Sequence, residues 1–322
     1  MQVNGDINFT GALTVQGRDI KSVLDNHYEL GLILVRGLVG GGYVGSSVWS
    51  TLTLLSYSTD AWATSANGLT FTTNYGGWAS AHNYGYVMQG SGAPVNKVAF
   101  ANEVVTTTAS RNNGSYSPSS FQHGVGYETT GTAFGTKAFI FAGGSGAYDK
   151  LSFTTDAMTN ASGGPSTQHA YGWFDKEYGY WYNSPGNATY IYPFANETFS
   201  VLSTTNSPGA MGMPTSQLEK GLNTKRGKAY VCGNSSWYVN TIFQFRNNIM
   251  TWSTNFGSQT QPNCEQAGTM GQNHGYLAGG YQAGGYNQNA HTDKIFNNTD
   301  TVVQIADAPR SLSSASPMWS PI

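Results

Sequence analysis

Short stretches in which apolar and polar residues alternate run through the whole chain, and long helical periodicity is absent. The alternation is clear at Val98/Phe100, Leu151/Phe153 and Tyr192/Phe194. A period of two places every second side chain on one buried face of a strand. Tyr, Phe, Trp, Val and Thr dominate the apolar set, and 41 glycines interrupt the chain every few residues. The pattern therefore predicts an all-β protein.

A four-residue element recurs at the end of these alternating strands. It consists of an aromatic residue, two small or polar residues, and then an acid or Asn. The copies begin at Tyr57, Phe100, Phe153, Phe194, Phe245 and Phe296, the last with one extra residue. The acids are Asp60, Glu103, Asp156, Glu197 and Asp300, and Asn248 replaces the acid in the fifth copy. Because Asp and Asn side chains bond nearby backbone N–H groups, the element predicts a repeated turn.

The flanks of this turn repeat as well, with spacings of 41 to 53 residues between the aromatic positions. Each unit has a Gly-terminated apolar strand, the strand before the turn, a strand after it, and a less regular fourth segment such as Trp78-Ala79-Ser80. Four strands in a unit of this length are typical of a propeller blade, and Gly-Gly after the first strand is typical of kelch blades. We therefore predict a six-bladed kelch-like β-propeller of four-stranded blades over residues 31–322. A solenoid is the structural alternative.

Closure of such a propeller must join the two ends of the repeat. We expect the last segment, near Met318 and Trp319, to pack beside the first blade at Leu32 to Val39. Closure would also protect the edge strands, which an open solenoid leaves exposed.

The first 30 residues do not follow the repeat. Residues 4–17 alternate like two short strands joined by glycine turns, and Asp19 to Glu29 could form one short helix. A segment of this size cannot bury a core alone. We expect residues 1–30 to be a separate attachment or oligomerisation segment that needs a partner.

The run VNGDINFTGALTVQGRDI, residues 3–20, resembles the opening of many bacteriophage tail-fibre and virion-appendage proteins. The resemblance implies a structural virion protein, a tail fibre or a neck or baseplate appendage, whose N-terminus attaches to other virion proteins, often as a homotrimer. In that family the distal domain contacts the host surface or neighbouring virion proteins. A propeller is not the commonest distal domain there, so no receptor-contacting residues can be carried over.

Charged residues make up only 10% of the chain, with 15 basic and 17 acidic residues and a net charge of −2, against roughly 25% in an average domain. Asn, Ser, Thr, Gly and 20 tyrosines must therefore build an uncharged polar surface. The aromatic content of 13% excludes a disordered chain. The absence of a basic patch excludes nucleic acid as a partner. Cys232 and Cys264 are too few for a disulfide framework, and their spacing does not resemble a metal site.

Targeting signals are not evident in the sequence. The start lacks the basic and apolar regions of a signal peptide. The longest apolar stretch, Leu30 to Val35, is too short to insert in a membrane. We expect synthesis in the host cytoplasm and residence in the virion, consistent with the fibre resemblance.

Two sets of titratable residues could bind ions. His82, His123, His169 and His274 fall in or just after the fourth segments of different units, so they could converge on a metal ion near an axis. No carboxylates accompany them at matched offsets, and His also fills polar strand positions, so no cofactor is expected. The turn acids should form a ring on one face, which could bind cations or a basic partner, or could serve the turn alone.

Aromatic side chains are the candidates for ligand contact. An aromatic-dense segment, residues 171–182, joins the third and fourth units and contains Trp173, Tyr178, Tyr180 and Trp181. Together with Trp78, these residues could contact a glycan, because sugars present apolar faces and hydroxyls. The alternation from Tyr178 to Tyr182 equally suits a strand buried between blades.

Enzyme motifs are missing from the sequence. The run Ser58-Thr59-Asp60-Ala61-Trp62 lacks the Gly and the spacing of a sialidase box, and no nucleophile elbow, phosphate loop or HExxH motif occurs. We therefore predict a non-enzymatic virion protein. The alternatives are a carbohydrate-binding, lectin-like propeller and a glycan-cleaving enzyme.

Overall fold

The structure is a computed structural model, and all its regular secondary structure among the described residues is β. The described residues are 14–15, 18–19, 36–44, 47–73, 77–81, 83–88, 94–110, 124–127, 137–141, 146–164, 170–174, 178–183, 188–203, 215–217, 228–232, 241–246, 249–258, 260–261, 263–264, 266–270, 274–282, 287–296, 299–312 and 316–320.

Six larger antiparallel sheets, numbered here in chain order, contain most of the strands. Sheet 1 consists of β30 (Ser316–Ser320), β3 (Arg36–Gly40), β5 (Ser47–Ser56) and β6 (Ala61–Thr73), and β4 (Tyr43–Val44) also pairs with β5. Sheet 2 consists of β7 (Gly77–Ser80), β8 (Tyr84–Met88), β9 (Pro94–Ala99) and β10 (Val105–Ser110). Sheet 3 consists of β11 (Gly124–Tyr127), β12 (Lys137–Phe141), β13 (Tyr148–Ser152) and β14 (Met158–Ala161).

The remaining three sheets repeat this order of strands. Sheet 4 consists of β15 (Ala170–Phe174), β16 (Tyr178–Asn183), β17 (Ala188–Pro193) and β18 (Ser200–Ser203). Sheet 5 consists of β19 (Thr215–Gln217), β20 (Lys228–Cys232), β21 (Thr241–Arg246) and β22 (Thr251–Ser258). Sheet 6 consists of β24 (Ala267–Met270), β25 (His274–Ala278), β28 (Thr292–Phe296) and β29 (Val302–Gln304). A small extra sheet joins β23 (Asn263–Cys264), β26 (Tyr281–Gln282) and β27 (Asn287–Gln288).

The boundary between units is one strand away from where the sequence placed it. The sequence predicts that Trp78-Ala79-Ser80 ends the first unit. In the structure this segment is the first strand of sheet 2 and pairs with β8. The last strand of the chain, β30, likewise pairs with β3, so that Met318 faces Leu38 and Trp319 faces Gly37. The predicted pairing of the two ends of the repeat is therefore confirmed at these residues. Residues 32–35 lie outside the described part of the chain.

The core lies between neighbouring sheets. The first strands contact one another in the order β30, β7, β11, β15, β19, β24, and β24 in turn contacts β30. Apolar clusters fill the spaces between the faces, for example Met88 and Val95 of sheet 2 against Ala138 and Ile140 of sheet 3. Each fully buried large side chain contributes about 1.5–3 kcal/mol. The fold is therefore held together mainly by face-to-face packing of consecutive sheets.

One close approach shows how tightly the last sheet packs on the first. A Cβ atom added to Gly37 of β3 would lie 2.6 Å from Oγ1 of Thr269 in β24. No side chain fits there, so glycine lets the two sheets approach at this point.

Little of the N-terminal segment is described. Strand β1 (Thr14–Val15) pairs with β2 (Arg18–Asp19), so Asp19, expected at the start of a short helix, belongs to a two-residue strand. The rest of that predicted helix, residues 20–29, lies outside the described residues. Within the described part of the chain, no helix is long and apolar enough to cross a membrane.

Candidate functional site: acidic turns between neighbouring sheets

The repeated turn links the third and fourth strands of each sheet. In sheet 2 the Glu103 N–H donates to Ala99 O at 2.8 Å, and the Ala99 N–H donates to Val104 O at 2.9 Å. Asn102, directly before the acid, accepts the Val104 N–H at 3.2 Å. Sheets 4 and 6 form the first of these bonds in the same way, from Glu197 and Asp300. Backbone bonds and the side chain of Asn102 thus hold the turn locally, whereas the acid side chains, expected to bond the local backbone, bond donors of another sheet.

The residue at the end of each turn has a left-handed backbone. The positive φ values are Asp60 54°, Glu103 59°, Asp156 56°, Glu197 52°, Met250 51° and Asp300 58°. Asp tolerates this region, but for other residues with a Cβ it costs about 1–2 kcal/mol. Glycine would avoid that cost, yet no sheet uses it. A side chain at this position must therefore contribute something that glycine cannot.

The six left-handed residues occupy the same position in their sheets, and we call this shared numbering the frame. Each lies six positions after the equivalent residue of the third strand. Those third-strand residues are Leu54, Lys97, Lys150, Ile191, Gln244 and Lys294. The frame corrects the sequence alignment in two sheets. In sheet 5 the left-handed residue is Met250, whereas Asn248 was expected and lies outside the described residues. In sheet 6 no residue is inserted, because Phe296 lies one position earlier than the aromatic residues of sheets 1 to 4.

Each of the five acids reaches across to donors on the preceding sheet. We call this arrangement a turn-acid contact, and we name each junction by the two sheets that meet there. The acids are Asp156 at the 2/3 junction, Glu197 at 3/4, Asp300 at 5/6, Asp60 at 6/1 and Glu103 at 1/2.

The 2/3 junction shows the contact most fully. The Lys97 Nζ atom donates to both carboxylate oxygens of Asp156, at 2.9 and 2.7 Å, and the Tyr86 hydroxyl donates to Oδ1 at 2.8 Å. The same Nζ lies 3.9 Å from the centre of the Tyr84 ring, a favourable cation–π geometry. Burial, together with the hydrogen bond and charge of Asp156, raises the pKa of Tyr86. Its hydroxyl therefore stays protonated as a donor.

The 6/1 junction repeats this geometry between residues far apart in the sequence. Lys294 Nζ donates to the two Asp60 oxygens at 2.8 and 2.7 Å, and the Tyr276 hydroxyl donates to Oδ1 at 2.9 Å. Burial and Asp60 raise the pKa of Tyr276. The contact joins the last sheet of the chain to the first.

At the 3/4 junction two lysines share one acid. Lys137 donates to Glu197 Oε1 at 2.8 Å, and Lys150 donates to Oε2. Burial alone would raise the pKa of Glu197, but the hydrogen bonds and charges of the two lysines outweigh it and lower that pKa. Glu197 is therefore held as a carboxylate.

The two remaining turn acids use other donors. Arg36 Nη1 donates to Glu103 Oε1 at 3.0 Å. Asp300 Oδ1 accepts Tyr230 Oη at 3.1 Å and Gln244 Nε2 at 3.3 Å. The position of the acid is thus constant, while the donor is a lysine, an arginine or neutral groups.

The 4/5 junction is the exception. Met250 occupies the acid position, and Ile191 occupies the position that holds Lys97, Lys150 or Lys294 elsewhere. Met250 packs on a cluster that contains Ile191, Tyr180 and Phe245. The acid and its lysine are thus replaced together by two apolar side chains.

A second contact between sheets uses a tryptophan two positions after the left-handed residue. Trp252 Nε1 donates to Thr189 Oγ1 at 2.8 Å across the 4/5 junction. Trp62 Nε1 donates to Thr292 Oγ1 at 3.1 Å across the 6/1 junction. Both threonines lie two positions before the third-strand residue of the frame. The 4/5 junction therefore keeps a polar contact although it lacks a turn acid.

A third contact brings a hydroxyl, a histidine and an aspartate together as a catalytic site would, but an equivalent contact without a histidine joins two other sheets. Asp293 accepts the backbone N–H of Thr260 at 3.1 Å and its hydroxyl at 2.6 Å, while His291 Nε2 lies 2.6 Å from that hydroxyl. In sheet 2, Asn96 accepts the Thr70 N–H at 2.7 Å and donates to the Thr70 hydroxyl at 2.6 Å. Because Asp293 and Asn96 face the same position of the second strand, we assign both contacts to the joining of sheets.

The aromatic candidates occupy different environments. Trp78 is 3% exposed and Tyr180 is fully buried, so neither side chain faces a ligand at the surface. Tyr178 is partly buried and packs against the cluster of the 4/5 junction. The backbones of Trp173 and Trp181 lie on the paired strands β15 and β16; their side chains lie outside the described part of the structure.

The candidate metal ligands are mostly undescribed. His82, His123 and His169 lie outside the described residues. His274 packs edge-on against Tyr276 and Phe296. Among the described residues, no group of three or more His, Cys, Asp or Glu side chains could hold a metal ion.

The lysine donors were not predicted from the sequence, although a signal was present. Lys97, Lys150 and Lys294 each lie six residues before an acid, which gives Lys-x5-acid three times. The local pairing is misleading, because each lysine bonds an acid of a different sheet.

No protein-family model matches the chain, and no curated protein matches it by sequence. Solved structures are similar in fold. The structure of YjhT has 12% identity and a TM-score of 0.58, over 83% of this chain and 97% of that one. A chain of the nidogen/laminin complex has 8% identity and a TM-score of 0.59, over 88% of this chain and 98% of that one. Both are β-propeller-like, and the present chain accordingly has an all-β, β-propeller-like fold.

Proposed function

We propose that sheets 1 to 6 are the blades of one six-bladed, kelch-like β-propeller over residues 31–322. Three observations support this: the cyclic order of contacts between first strands, the pairing of β30 with β3 and the acid contact from Asp60 to Lys294. In this arrangement β30 completes the first blade, so the two ends of the repeat are tied by both backbone and side chains.

We propose that this propeller is a non-enzymatic scaffold that displays a surface for contact. The observation that carries the proposal is the use of the repeated charges. Four of the five turn acids pair between sheets with the cations Arg36, Lys97, Lys137, Lys150 and Lys294, and the fifth, Asp300, accepts hydrogen bonds from neutral groups. These groups are occupied in holding the fold together. The remaining surface consists mostly of uncharged Asn, Ser, Thr, Gly and Tyr. The free energy needed to remove water from such a surface when a partner binds is small.

We further propose that the scaffold belongs to a bacteriophage particle, as a tail fibre or a neck or baseplate appendage. Residues 1–30 would attach it to other virion proteins, as a homotrimer, and residues 31–322 would contact a protein or the host surface. The support is the fibre-like run at residues 3–20 together with the charge-poor composition.

The proposal is tested by removing the N-terminal segment. A chain that lacks residues 1–30 should remain folded and monomeric, with the melting temperature of the full chain, but should be absent from purified particles. The full chain should be present there in a copy number divisible by three. Full incorporation of the truncated chain would contradict the attachment role, and turnover of a host polysaccharide by the full chain would contradict the non-enzymatic role.

A further inference from the structure

One large tract of the sequence is almost free of charge. Residues 37–96 include a single charged side chain, Asp60. That carboxylate is paired with Lys294 of sheet 6. Apart from Arg36, which pairs with Glu103, strands β3 to β6 of sheet 1 and the first half of sheet 2 therefore present a neutral surface to any partner.

A hairpin extends this neutral surface beyond the rest of its sheet. Strand β3 ends at Gly40, opposite Leu52, whereas β5 begins five residues earlier, at Ser47, and β6 continues to Thr73. We use the term neutral hairpin for residues 47–51 and 67–73. It lies at the end of sheet 1 opposite to the turn acids.

The base of the neutral hairpin is held in place by an arginine. Arg310 Nη2 donates to Gly41 O at 2.7 Å and to Thr51 O at 3.0 Å. Burial lowers the pKa of Arg310 to about 10, and no acid pairs with it among the described residues. The Trp49 N–H also donates to Gly42 O at 3.0 Å. The backbone around Trp49 is thus fixed before any ligand arrives, which reduces the entropy cost of binding.

The neutral hairpin exposes an indole ring and several hydroxyl groups. Trp49 is 42% exposed, the largest fraction for any aromatic side chain among the large hydrophobic residues exposed in the described part of the chain. Ser47 on the same strand is exposed, as are Asn67 and Thr72 on β6, whereas the Thr70 hydroxyl is occupied by Asn96. Trp49 itself pairs with Thr73 across the two strands.

We propose that the neutral hairpin binds an uncharged carbohydrate, with the Trp49 indole against the apolar face of a sugar ring and the hydroxyl and amide groups as hydrogen-bond partners. The chemistry favours this ligand because the site combines a flat apolar ring with uncharged donors and acceptors. An acidic glycan would find no cation on residues 37–96, and Arg310 at the base of the hairpin already donates to Gly41 O and Thr51 O. The inference rests on the display role proposed above and assigns its ligand class.

A second copy of the chain is a less suitable occupant. Pairing of β6 with another β6 would need a regular edge, but the register of β6 shifts twice against β5, between Trp49 and Thr53. Such bulges bend an edge strand and oppose edge-to-edge association.

The test uses the full chain on an array of neutral and acidic glycans, followed by titration of the best neutral glycan. Binding should be confined to neutral glycans, and Trp49→Ala should weaken it by about tenfold or more, while Trp49→Phe should weaken it less. The control Tyr84→Ala removes an aromatic residue that is 36% exposed at the opposite end of sheet 2, and it should leave binding unchanged. The Trp49 variants should keep the wild-type melting temperature to within a few degrees, and Tyr84→Ala should remain folded although it loses the contact of its ring with Lys97.

Three results would overturn the assignment: no neutral glycan bound, preference for acidic glycans, or equal binding by Trp49→Ala. A change of oligomeric state in Trp49→Ala without a change in glycan binding would instead identify the hairpin as a contact between copies. Particles that carry Trp49→Ala should retain the full copy number of the protein. Loss of incorporation would thus point to the attachment role, and loss of glycan binding alone to this site.

Discussion

The 2/3 and 4/5 junctions place different chemistry at the same two positions. The first pairs Asp156 with Lys97, and the second packs Met250 near Ile191. The backbone is the same in both, since Asp156 and Met250 have φ values of 56° and 51°. The ion pair is therefore not what shapes the turn.

At these two junctions the acid and its lysine are exchanged together. An acid without its lysine, or a lysine without its acid, would leave a partly buried charge unpaired, whereas the complete apolar pair has no such charge. Replacement of a buried ion pair by well-packed apolar residues is often neutral in stability, while removal of one partner is strongly destabilising. The comparison thus predicts that single exchanges at either junction are harmful and that paired exchanges are tolerated.

The largest effect is expected from a lysine placed in the apolar junction. Ile191 is 8% exposed, so Ile191→Lys should destabilise the protein by about 3–5 kcal/mol because the new charge has no partner. Addition of Met250→Asp should restore much of that loss by rebuilding the Lys97–Asp156 arrangement. Urea denaturation of the two single variants and the double variant measures this. A loss in the double variant equal to the sum of the two single losses would show that the two positions are independent.

A matched pair of glycine variants isolates the acid itself. Both Asp156→Gly and Met250→Gly relieve the left-handed backbone, but only the first leaves Lys97 and Tyr86 without their acceptor. We expect Asp156→Gly to lose about 2–3 kcal/mol and Met250→Gly to lose about 1 kcal/mol or less. Thermal unfolding monitored by circular dichroism gives the order. A larger loss for Met250→Gly would contradict the comparison.

Acid pH should weaken the 3/4 junction. Its two lysines lower the pKa of Glu197 from the ordinary value of 4.5. The carboxylate therefore stabilises the fold fully above about pH 4.5, and this contribution is lost as the pH falls through the lowered pKa. Stability curves between about pH 6 and pH 3 should be flatter for Glu197→Gln than for the wild type. Parallel curves would argue against the contact.

The smallest effect is expected from loss of one hydroxyl. Tyr86→Phe removes the bond from Oη to Asp156 but keeps the ring, and sheet 3 already has Phe139 at the equivalent position. We expect a loss of about 1 kcal/mol. If Tyr86→Phe costs as much stability in the Asp156→Gly variant as in the wild type, the hydroxyl must act through a partner other than Asp156.

The sequence predicted the strands and turns because both depend on local chemistry. Alternation identified the buried face at Val98 and Leu151, both fully buried. The repeated element marked the turns, although the Asx-type bond comes from Asn102 and Asn196, directly before the acids, and not from the acids. The left-handed position of sheet 5 could not be predicted in this way, because Phe245 lies two positions earlier than the aromatic residues of sheets 1 to 4, and counting from it gives Asn248 instead of Met250.

The role of the acids could not be predicted from local chemistry. Lys97 meets Asp156 across 59 residues and Lys294 meets Asp60 across 234, so both pairs depend on how whole sheets stack. The exposure of aromatic residues depends on the same stacking, which buries Trp78 and Tyr180 and leaves Trp49 exposed. The prediction that Trp78-Ala79-Ser80 ends the first unit is wrong for a related reason. The sequence of a strand does not show whether it pairs with the strand before it or the strand after it.

The contact between Asp60 and Lys294 tests the central claim most directly, because it joins the first and last sheets. A double-mutant cycle with Asp60→Asn and Lys294→Met measures the coupling between the two side chains. We predict a coupling free energy of about 1–3 kcal/mol, with the double variant more stable than the sum of the single losses implies. Strict additivity of the two losses would show that the acids do not hold neighbouring sheets together.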